Sequence, residues 1–211
     1  MIKIATRGSK LALWQANLVA SKLGLPHQIC IIKTTGDLHA EANLKALGGK
    51  EVFTKEIDEA LLTGIADIAV HSLKDVPGII HPDLKIIACL KRADPRDVLL
   101  GSLKPNAVVG TSSPRRCAQI LALEPTAKCI PFRGNVETRL NKLASGQVDC
   151  TILAMAGIGR LGIELNVPHK IMETSQLTPA VGQGIICLMA RSDYEHNLAH
   201  INHKASFIAA T

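Results

Sequence analysis

Basic and hydroxyl-bearing residues are concentrated at four places in the sequence, each directly after a short apolar run. These places are Thr6–Ser9, His71–Asp75, Gly110–Arg116 and Arg133–Arg139. Arginine offers a forked set of donors that suits carboxylates, and the free N–H groups of a helix start attract the same anions. The residue types therefore indicate a ligand that carries several acidic groups.

Asp75 differs from the other candidates because it is an acid beside Lys74. A carboxylate at a strand end is placed to transfer a proton or to stabilise a cation. The alternative is a structural use, since Asp commonly caps a turn and Pro77 follows closely. Single arginines and runs such as Thr111–Pro114 also have such uses, as solvated surface and as helix caps. Four clusters together favour a binding site.

Short apolar runs alternate with segments of helical periodicity, which predicts an α/β fold with mixed, mostly parallel sheets. We expect helices that begin at Ser9, Thr54, Ser113 and Asn135, with Pro114 in a first turn. The predicted strands are Ile2–Ala5, Ile29–Ile32, Ile68–Val70, Leu84–Ala88, Ala107–Val109, Lys128–Phe132, Cys150–Leu153 and Ile185–Met189. In such sheets ligands bind beyond the carboxyl ends of the strands, where the four clusters fall.

Two interruptions suggest how the chain divides into domains. Arg92–Arg96 is charged and contains a proline, and Leu177–Ala180 contains another. If both segments cross between domains, residues 1–95 and 180–211 form domain 1, and residues 96–179 form domain 2. Two clusters would then lie in each domain and would line a cleft between them. We find no internal repeat in the sequence.

Composition excludes several classes of protein. Among 211 residues only three Phe, one Trp and one Tyr are aromatic, which is poor material for stacking single-stranded nucleic acid. No apolar run is long enough to span a membrane, and Arg7 precedes any signal-peptide core. The six cysteines are scattered singly, as in reduced cytoplasmic proteins. The net charge of +6 favours an anionic partner, and we expect a cytoplasmic monomer that binds no nucleic acid or membrane.

Three motifs suggest other functions but lack their context. Gly157–Gly162 matches the dinucleotide pattern, yet Pro168 arrives before a full helix can follow. Three histidines, His196, His200 and His203, would share one stripe of a helix and could bind a metal, but a solvated helix face explains them equally well. Gly48–Lys50 lacks the rest of a phosphate-binding loop. We therefore expect neither a nucleotide nor a metal.

The sequence resembles the hydroxymethylbilane synthase family, also called porphobilinogen deaminase, in motifs that run in order through nearly the whole chain. The motifs are Ala5–Ser9, Leu11–Ala16, Gly48–Lys50, Phe53, Lys55–Glu56, Asp67–Pro77, Asp94–Asp97, Val109–Ser113, Arg115–Arg116, Arg133–Val136, Thr138–Arg139, Leu153–Ala154, Ala156–Gly157, Arg160–Gly162 and Pro179–Gly184.

The resemblance implies an enzyme that condenses four porphobilinogen molecules head to tail, with loss of ammonia, into a linear tetrapyrrole for haem biosynthesis. It also implies two domains similar to periplasmic binding proteins, joined by two crossings. Every pyrrole unit bears an acetate and a propionate, so the basic clusters are the counter-charges that such a ligand requires.

The resemblance also assigns roles to residues. Asp75 would protonate the departing amine and stabilise the azafulvene cation that follows. The residues implied in substrate binding are Arg7, Ser9, Arg133, Arg139 and Arg160. Those implied in binding the dipyrromethane cofactor are Ser72, Lys74, Thr111, Ser112, Ser113, Arg115, Arg116, Gly134, Asn135 and Gln183. Lys50 and Lys55 would belong to a lid, in which Glu51 replaces the family's usual glycine.

One departure bears on activity. The family continues beyond the position of Thr211 into a third domain, where a cysteine in a Gly-Gly-Cys context carries the cofactor. None of the six cysteines has that context. We therefore expect this chain alone to turn over poorly or not at all. The alternative is a non-catalytic binder of polycarboxylated pyrroles, which would form no covalent dipyrromethane adduct.

Overall fold

The computed structural model describes residues 1–38 and 51–211, and these fall into two compact units. Unit 1 is Met1–Ala93 with Gly184–Thr211, and unit 2 is Asp94–Gln183. The chain therefore passes between units close to the two segments that were predicted to be crossings. Gln183, expected in domain 1, lies in unit 2 instead, because its Nε2 donates to the Pro95 carbonyl (2.7 Å) and to Asp97 Oδ1 (2.8 Å).

Strands and helices alternate along much of the chain. The strands are β1 (Ile2–Thr6), β2 (His27–Ile31), β3 (Ile68–Ser72), β4 (Leu84–Cys89), β5 (Asp97–Gly101), β6 (Val108–Gly110), β7 (Lys128–Ile130), β8 (Cys150–Ala154), β9 (His169–Ile171) and β10 (Ile186–Arg191). The α-helices are α1 (Lys10–Leu23), α2 (Thr35–Leu38), α3 (Lys55–Leu62), α4 (Pro114–Leu123), α5 (Val136–Ala144), α6 (Met155–Arg160) and α7 (Lys204–Ile208). Two short 3-10 turns occupy Glu51–Phe53 and Leu73–Asp75.

Each unit contains one five-stranded sheet, and the two sheets share a topology. The strand orders are β2-β1-β3-β10-β4 in unit 1 and β7-β6-β8-β5-β9 in unit 2. In both, the first three strands are mutually parallel and the fourth is antiparallel to both neighbours. Four of the five strands thus point one way, as the mixed, mostly parallel prediction requires. The antiparallel strand is the first strand that follows a crossing from the other unit: β5 in unit 2 and β10 in unit 1.

Apolar side chains cover both faces of each sheet. In unit 1, α1 packs Val19 against one face beside Ile4, and α3 packs Ile57 and Leu61 against the other. In unit 2, one cluster contains Ile120 of α4, and a second contains Leu143 of α5. Two-sided burial explains why the strands read as continuous apolar runs rather than as alternating patterns.

Helix starts follow the capping residues expected from the sequence. The side chains of Ser9, Ser113 and Asn135 accept a backbone N–H from the first turns of α1, α4 and α5. Thr54 precedes α3 as predicted, but its side chain makes no capping hydrogen bond. Helix α1 ends at Gly24 with φ +63°, a left-handed conformation that glycine adopts without strain.

All eight predicted strand segments overlap observed strands, whereas β5 and β9 were not predicted. The apolar part of β5 is only the three residues Val98–Leu100, and it directly follows the charged, proline-bearing crossing. So short an apolar run after a charged, proline-bearing segment is typical of a linker. Its place between two other strands comes from pairing with β8 and β9, which are distant in sequence.

Two of the alternative motifs can be compared with the structure. The dinucleotide-like segment begins within α6, so Gly157 and Gly159 are helical and form no phosphate-binding loop. The expected helical stripe of histidines is wrong, because α7 begins only at Lys204. His203 instead caps that helix, with its Nδ1 accepting the Ser206 N–H at 3.2 Å. Gly48–Lys50 lies outside the described residues.

Gly101, at the end of β5, is a position where a side chain cannot be accommodated. Its φ is +89°, and a Cβ there would lie 2.2 Å from the Asp149 carbonyl oxygen. We expect Gly101→Ala to lower the free energy of unfolding by about 3 kcal/mol, measured by urea denaturation. Gly146 is the matched control, since its φ is +74° but a Cβ would meet nothing within 4 Å. Gly146→Ala should cost only about 1 kcal/mol, and equal losses would refute the steric explanation.

Candidate functional site

In unit 1 the sheet brings two of the four clusters side by side. Strands β1 and β3 are adjacent and parallel, so their carboxyl ends lead into Thr6–Ser9 and His71–Asp75 at the same edge. A hydrogen bond of 2.9 Å from Gln15 Nε2 to Ser72 Oγ joins α1 to the end of β3. Gln15 is buried and was not among the predicted site residues, although it lies in a motif that carries the family resemblance.

Arg7 is held by two partners that were not predicted from the sequence. Its guanidinium forms an ion pair with Asp37, with Nε 3.2 Å from Oδ1, and lies 4.3 Å from the centre of the Phe53 ring. Burial works to raise the pKa of Asp37, but hydrogen bonds from Arg7 and Thr34 and the charge of Arg7 outweigh it and lower the pKa. Asp37 is therefore ionised at neutral pH, and its negative charge is paired with Arg7.

Asp75 ends the 3-10 turn that follows β3 and is half-buried. Within the described part of the chain no hydrogen bond to its carboxylate is found, so the turn-capping alternative has no support there. The pKa of the buried Cys187 thiol is raised mainly by burial and then by Cys89 and by the negative charge of Asp75. Asp75 is thus an acid at a strand end with its oxygens uncommitted to a cap.

His71, the first residue of the second cluster, lies on β3 and is buried. Burial, and then the positive charge of Arg7, lower the pKa of His71 to about 4. The imidazole is therefore neutral at physiological pH and adds no positive charge to the binding residues.

The remaining predicted residues of unit 1 have simpler surroundings. Ser9 Oγ accepts the Ala12 N–H at 3.2 Å as the cap of α1. Lys74 lies in the 3-10 turn beside Asp75 and is half-buried. Lys55 is exposed at the first position of α3. Lys50, the other expected lid residue, lies outside the described residues.

In unit 2 the sheet again brings two clusters together. Strand β6 lies between β7 and β8 and is parallel to both, so the clusters after β6 and β7 leave the same edge. The N–H of Phe132, the residue just before the Arg133–Arg139 cluster, donates to Ser112 Oγ of the other cluster at 2.9 Å. The α4 and α5 helix starts, with their free N–H groups, are therefore neighbours.

The hydroxyl and amide residues of these clusters have structural roles as well. Thr111 Oγ1 accepts the Ser113 N–H at 3.2 Å, and Ser113 Oγ accepts the Arg116 N–H at 3.4 Å. Asn135 Oδ1 accepts both the N–H and the hydroxyl of Thr138 at 2.8 Å. An accepted hydrogen bond leaves a hydroxyl its own proton to donate, so capping and ligand binding are compatible for the Ser and Thr residues.

Arg115 and Arg116 both bind Asp97, which was not among the predicted site residues. Asp97 Oδ1 lies 2.6 Å from Arg116 Nη2, and Oδ2 lies 2.8 Å from Arg115 Nη2. Burial works to raise the pKa of Asp97, but hydrogen bonds from Arg116, Arg115 and Gln183 and the charge of Arg116 lower it overall. Asp97 ends a motif, Asp94–Asp97, that carries the family resemblance, and that motif was the available signal.

The second cluster of unit 2 is shaped by Gly134, whose φ is +116°. A Cβ there would lie 2.6 Å from Thr138 Cγ2, so the backbone passes close to α5. Arg139 Nε donates to the Gly134 carbonyl at 2.9 Å, and Arg133 is half-buried beside it. Arg160, at the end of α6, has its pKa lowered by burial to about 10 and stays cationic at neutral pH.

The donor set of unit 2 suits a ligand with several carboxylates. Arginines with forked donors, hydroxyl groups and two helix starts stand at one edge of the sheet, and such groups recognise carboxylates. Dipyrromethane, with an acetate and a propionate on each ring, fits this chemistry. Among the described residues no group of three or more side chains could hold a metal ion.

Comparison with known proteins decides which family has this arrangement. A family model described as "Porphobilinogen deaminase, dipyromethane cofactor binding domain" matches residues 2–199. The porphobilinogen deaminase of Syntrophomonas wolfei is 46% identical, over 99% of this chain and 72% of the relative. That of Lawsonia intracellularis is also 46% identical, over 98% and 71%. The chain belongs to the porphobilinogen deaminase family.

Solved structures of lower similarity agree on the fold. The VFT2 domain of BvgS from Bordetella pertussis superposes with a TM-score of 0.54 at 14% identity, covering 98% of this chain and 86% of that one. At that identity the likeness shows only the mixed α/β fold with two sheets, similar to periplasmic binding proteins. In the described residues no helix has the length and apolar character of a membrane span.

Proposed function

We propose that this chain binds porphobilinogen and a dipyrromethane primer and joins pyrrole units with loss of ammonia. The observation that carries the proposal is the pairing of basic clusters by parallel strands in each unit, with Asp75 at the paired edge of unit 1. Family membership supports the reaction, because the relatives are named porphobilinogen deaminase.

Asp75 is proposed as the catalytic acid. It would transfer a proton to the aminomethyl nitrogen of porphobilinogen as ammonia leaves, and its carboxylate would then stabilise the cation left on that ring. Its carboxylate accepts no capping hydrogen bond from the described residues, which supports this use. Ser72 and Lys74, on the same segment, are proposed to bind carboxylates of the primer.

The arginines are proposed to bind the acetate and propionate groups. Arg133, Arg139 and Arg160 of unit 2 would bind the incoming substrate, as would Arg7 and Ser9 of unit 1. The primer would be held by Thr111, Ser112, Ser113, Arg115, Gly134 and Asn135. Arg116 and Gln183, which were also expected to bind it, are buried and bound to Asp97, so they would support the site from behind. When bound, dipyrromethane supplies a pyrrole carbon that accepts the next unit. Lys55, and Lys50 outside the described residues, are proposed to belong to a lid.

The six cysteines support a further proposal about where the chain works. All six lie in the described residues and are free thiols. Thiols that are scattered singly through a chain are typical of a reducing compartment. We therefore propose that the protein acts in the cytoplasm.

Arg133→Leu tests the substrate-binding role. Loss of one guanidinium–carboxylate interaction should weaken porphobilinogen binding about tenfold, as measured by calorimetry on the full chain. Lys104→Leu removes a positive charge from the same unit at the opposite, amino end of β6, where Lys104 pairs with Asp149. This control should change the affinity less than twofold, which is about 0.4 kcal/mol. Equal effects of the two changes would mean that only net charge matters.

Catalysis is tested separately, by ammonia release from porphobilinogen with free dipyrromethane added as primer. With the primer supplied, we expect the chain to release ammonia above the background rate. The intact mass of the protein after the reaction shows whether a pyrrole has become covalently attached to it. Binding without ammonia release would overturn the enzymatic proposal and favour the non-catalytic binder.

A further inference from the structure

We propose that Asp97 is a positioning residue, which orients Arg115 and Arg116 so that Arg115 receives a carboxylate of the dipyrromethane primer. This inference rests on the proposed function, because it assumes that Arg115 binds that ligand. It adds a residue that would not itself touch the ligand.

The Asp97 carboxylate is completely buried, and both of its oxygens are used twice. Oδ1 accepts from Arg116 Nη2 at 2.6 Å and from Gln183 Nε2 at 2.8 Å. Oδ2 accepts from Arg115 Nη2 at 2.8 Å and from Arg116 Nε at 3.2 Å. One buried carboxylate thus fixes two guanidinium groups and one amide.

The two arginines differ in what remains available to a ligand. Arg116 is only 7% exposed, and its Nη1 donates to the Ile152 carbonyl at 3.0 Å, so three acceptor contacts hold it inside the protein. The Arg115 side chain is 26% exposed, with Nη1 bonded to the Thr178 carbonyl and Nη2 to Asp97. Arg115 is therefore anchored on its inner side and partly open to solvent. A guanidinium fixed in this way loses little conformational freedom when it binds a carboxylate.

Positioning and simple charge effects predict opposite signs for the removal of Asp97. A buried negative charge beside an anion site repels the ligand, so charge alone predicts tighter carboxylate binding when the charge is removed. Positioning predicts weaker binding. An asparagine at position 97 would direct its NH2 donor toward an arginine donor, so Arg115 would no longer be held in its orientation. The sign of the change in affinity therefore distinguishes the two explanations.

The experiment measures binding of a free dipyrromethane with two acetates and two propionates by calorimetry on the full chain. We expect Asp97→Asn to weaken binding about tenfold and Arg115→Leu to weaken it at least as much. Asp97→Asn made in the Arg115→Leu background should change the affinity less than about twofold, since Asp97 acts through Arg115. Glu173→Gln is the matched control, because it removes an acidic partner from Arg96 in the same unit and should leave binding unchanged.

The outcomes separate this inference from the proposed function. If the unaltered chain does not bind, or if Arg115→Leu binds normally, the proposed role of Arg115 fails and this inference fails with it. If Arg115→Leu weakens binding while Asp97→Asn leaves it unchanged or tightens it, only the positioning role is overturned.

Asp97→Asn is at risk of not folding, because it leaves the buried Arg116 and the partly exposed Arg115 without their carboxylate. In that case the arginine Nε–H resonances of the unaltered chain, followed by NMR, provide the test. Positioning predicts that Arg115 and Arg116 give separate signals with slow hydrogen exchange before ligand is added. If Arg115 and Arg116 instead showed the chemical shifts and the fast hydrogen exchange of solvent-exposed arginines, the proposal would be overturned.

Discussion

Asp75→Asn is expected to slow ammonia release from porphobilinogen by at least about 100-fold, the usual contribution of a positioned general acid. Asparagine is close in size to aspartate but can neither deliver the proton nor balance the cation that forms on the ring. Because Asp75 is half-buried and accepts no hydrogen bond from the described residues, folding should be affected little. The measurement compares initial rates with free dipyrromethane as primer, together with thermal melting of both proteins.

Asp83→Asn is the matched control for charge. Asp83 lies in the same unit, and its side chain is 73% exposed beside His81. This variant should keep the rate of the unaltered chain. If Asp75→Asn also kept that rate, Asp75 would have no role in proton transfer; if it unfolded instead, its role would be structural.

The second large effect concerns stability against pH and comes from His71. In the folded chain the pKa of His71 is lowered to about 4 from an ordinary value of 6.5. Between these values the unfolded chain binds a proton and the folded chain does not, so stability rises with pH and is lost as pH falls. We expect the free energy of unfolding to drop by about 2 kcal/mol between pH 7.5 and pH 5 from this group alone.

Urea denaturation at several pH values measures this drop. His71→Gln removes the titrating group, so its free energy of unfolding should lose about 2 kcal/mol less than that of the unaltered chain over the same range. His200→Gln, at an exposed position, should reproduce the full dependence. Equal slopes for His71→Gln and the unaltered chain would mean that burial of this imidazole does not control stability.

The local structure around the clusters could be predicted because it depends on neighbours in the sequence. A cap such as Ser9 or Asn135 binds an N–H three residues ahead, and an apolar run between two turns becomes a strand. The order of residue types alone therefore predicts that basic residues follow those strands. The family resemblance then indicated which ligand they bind.

Strand order could not be predicted in the same way. The sequence shows apolar runs but not which runs pair, and β5 shows this most clearly. Its pairing with β8 connects Asp97 with Ala154 across more than fifty residues, and no local signal marks that choice. The shared topology of the two units was also invisible, because the pattern of pairing repeats while the sequence does not.

By itself, the sequence determined the α/β class, the helix starts, the clusters of positive charge and the family, since each is written in residue types at short spacing. Only the tertiary structure decided which acid each arginine meets. Arg7 pairs with Asp37, and Arg115 and Arg116 share Asp97, across 18 to 30 positions of the chain. The physical reason is that a buried charge must find a partner wherever the folded backbone brings one, and only the packed strands determine that place.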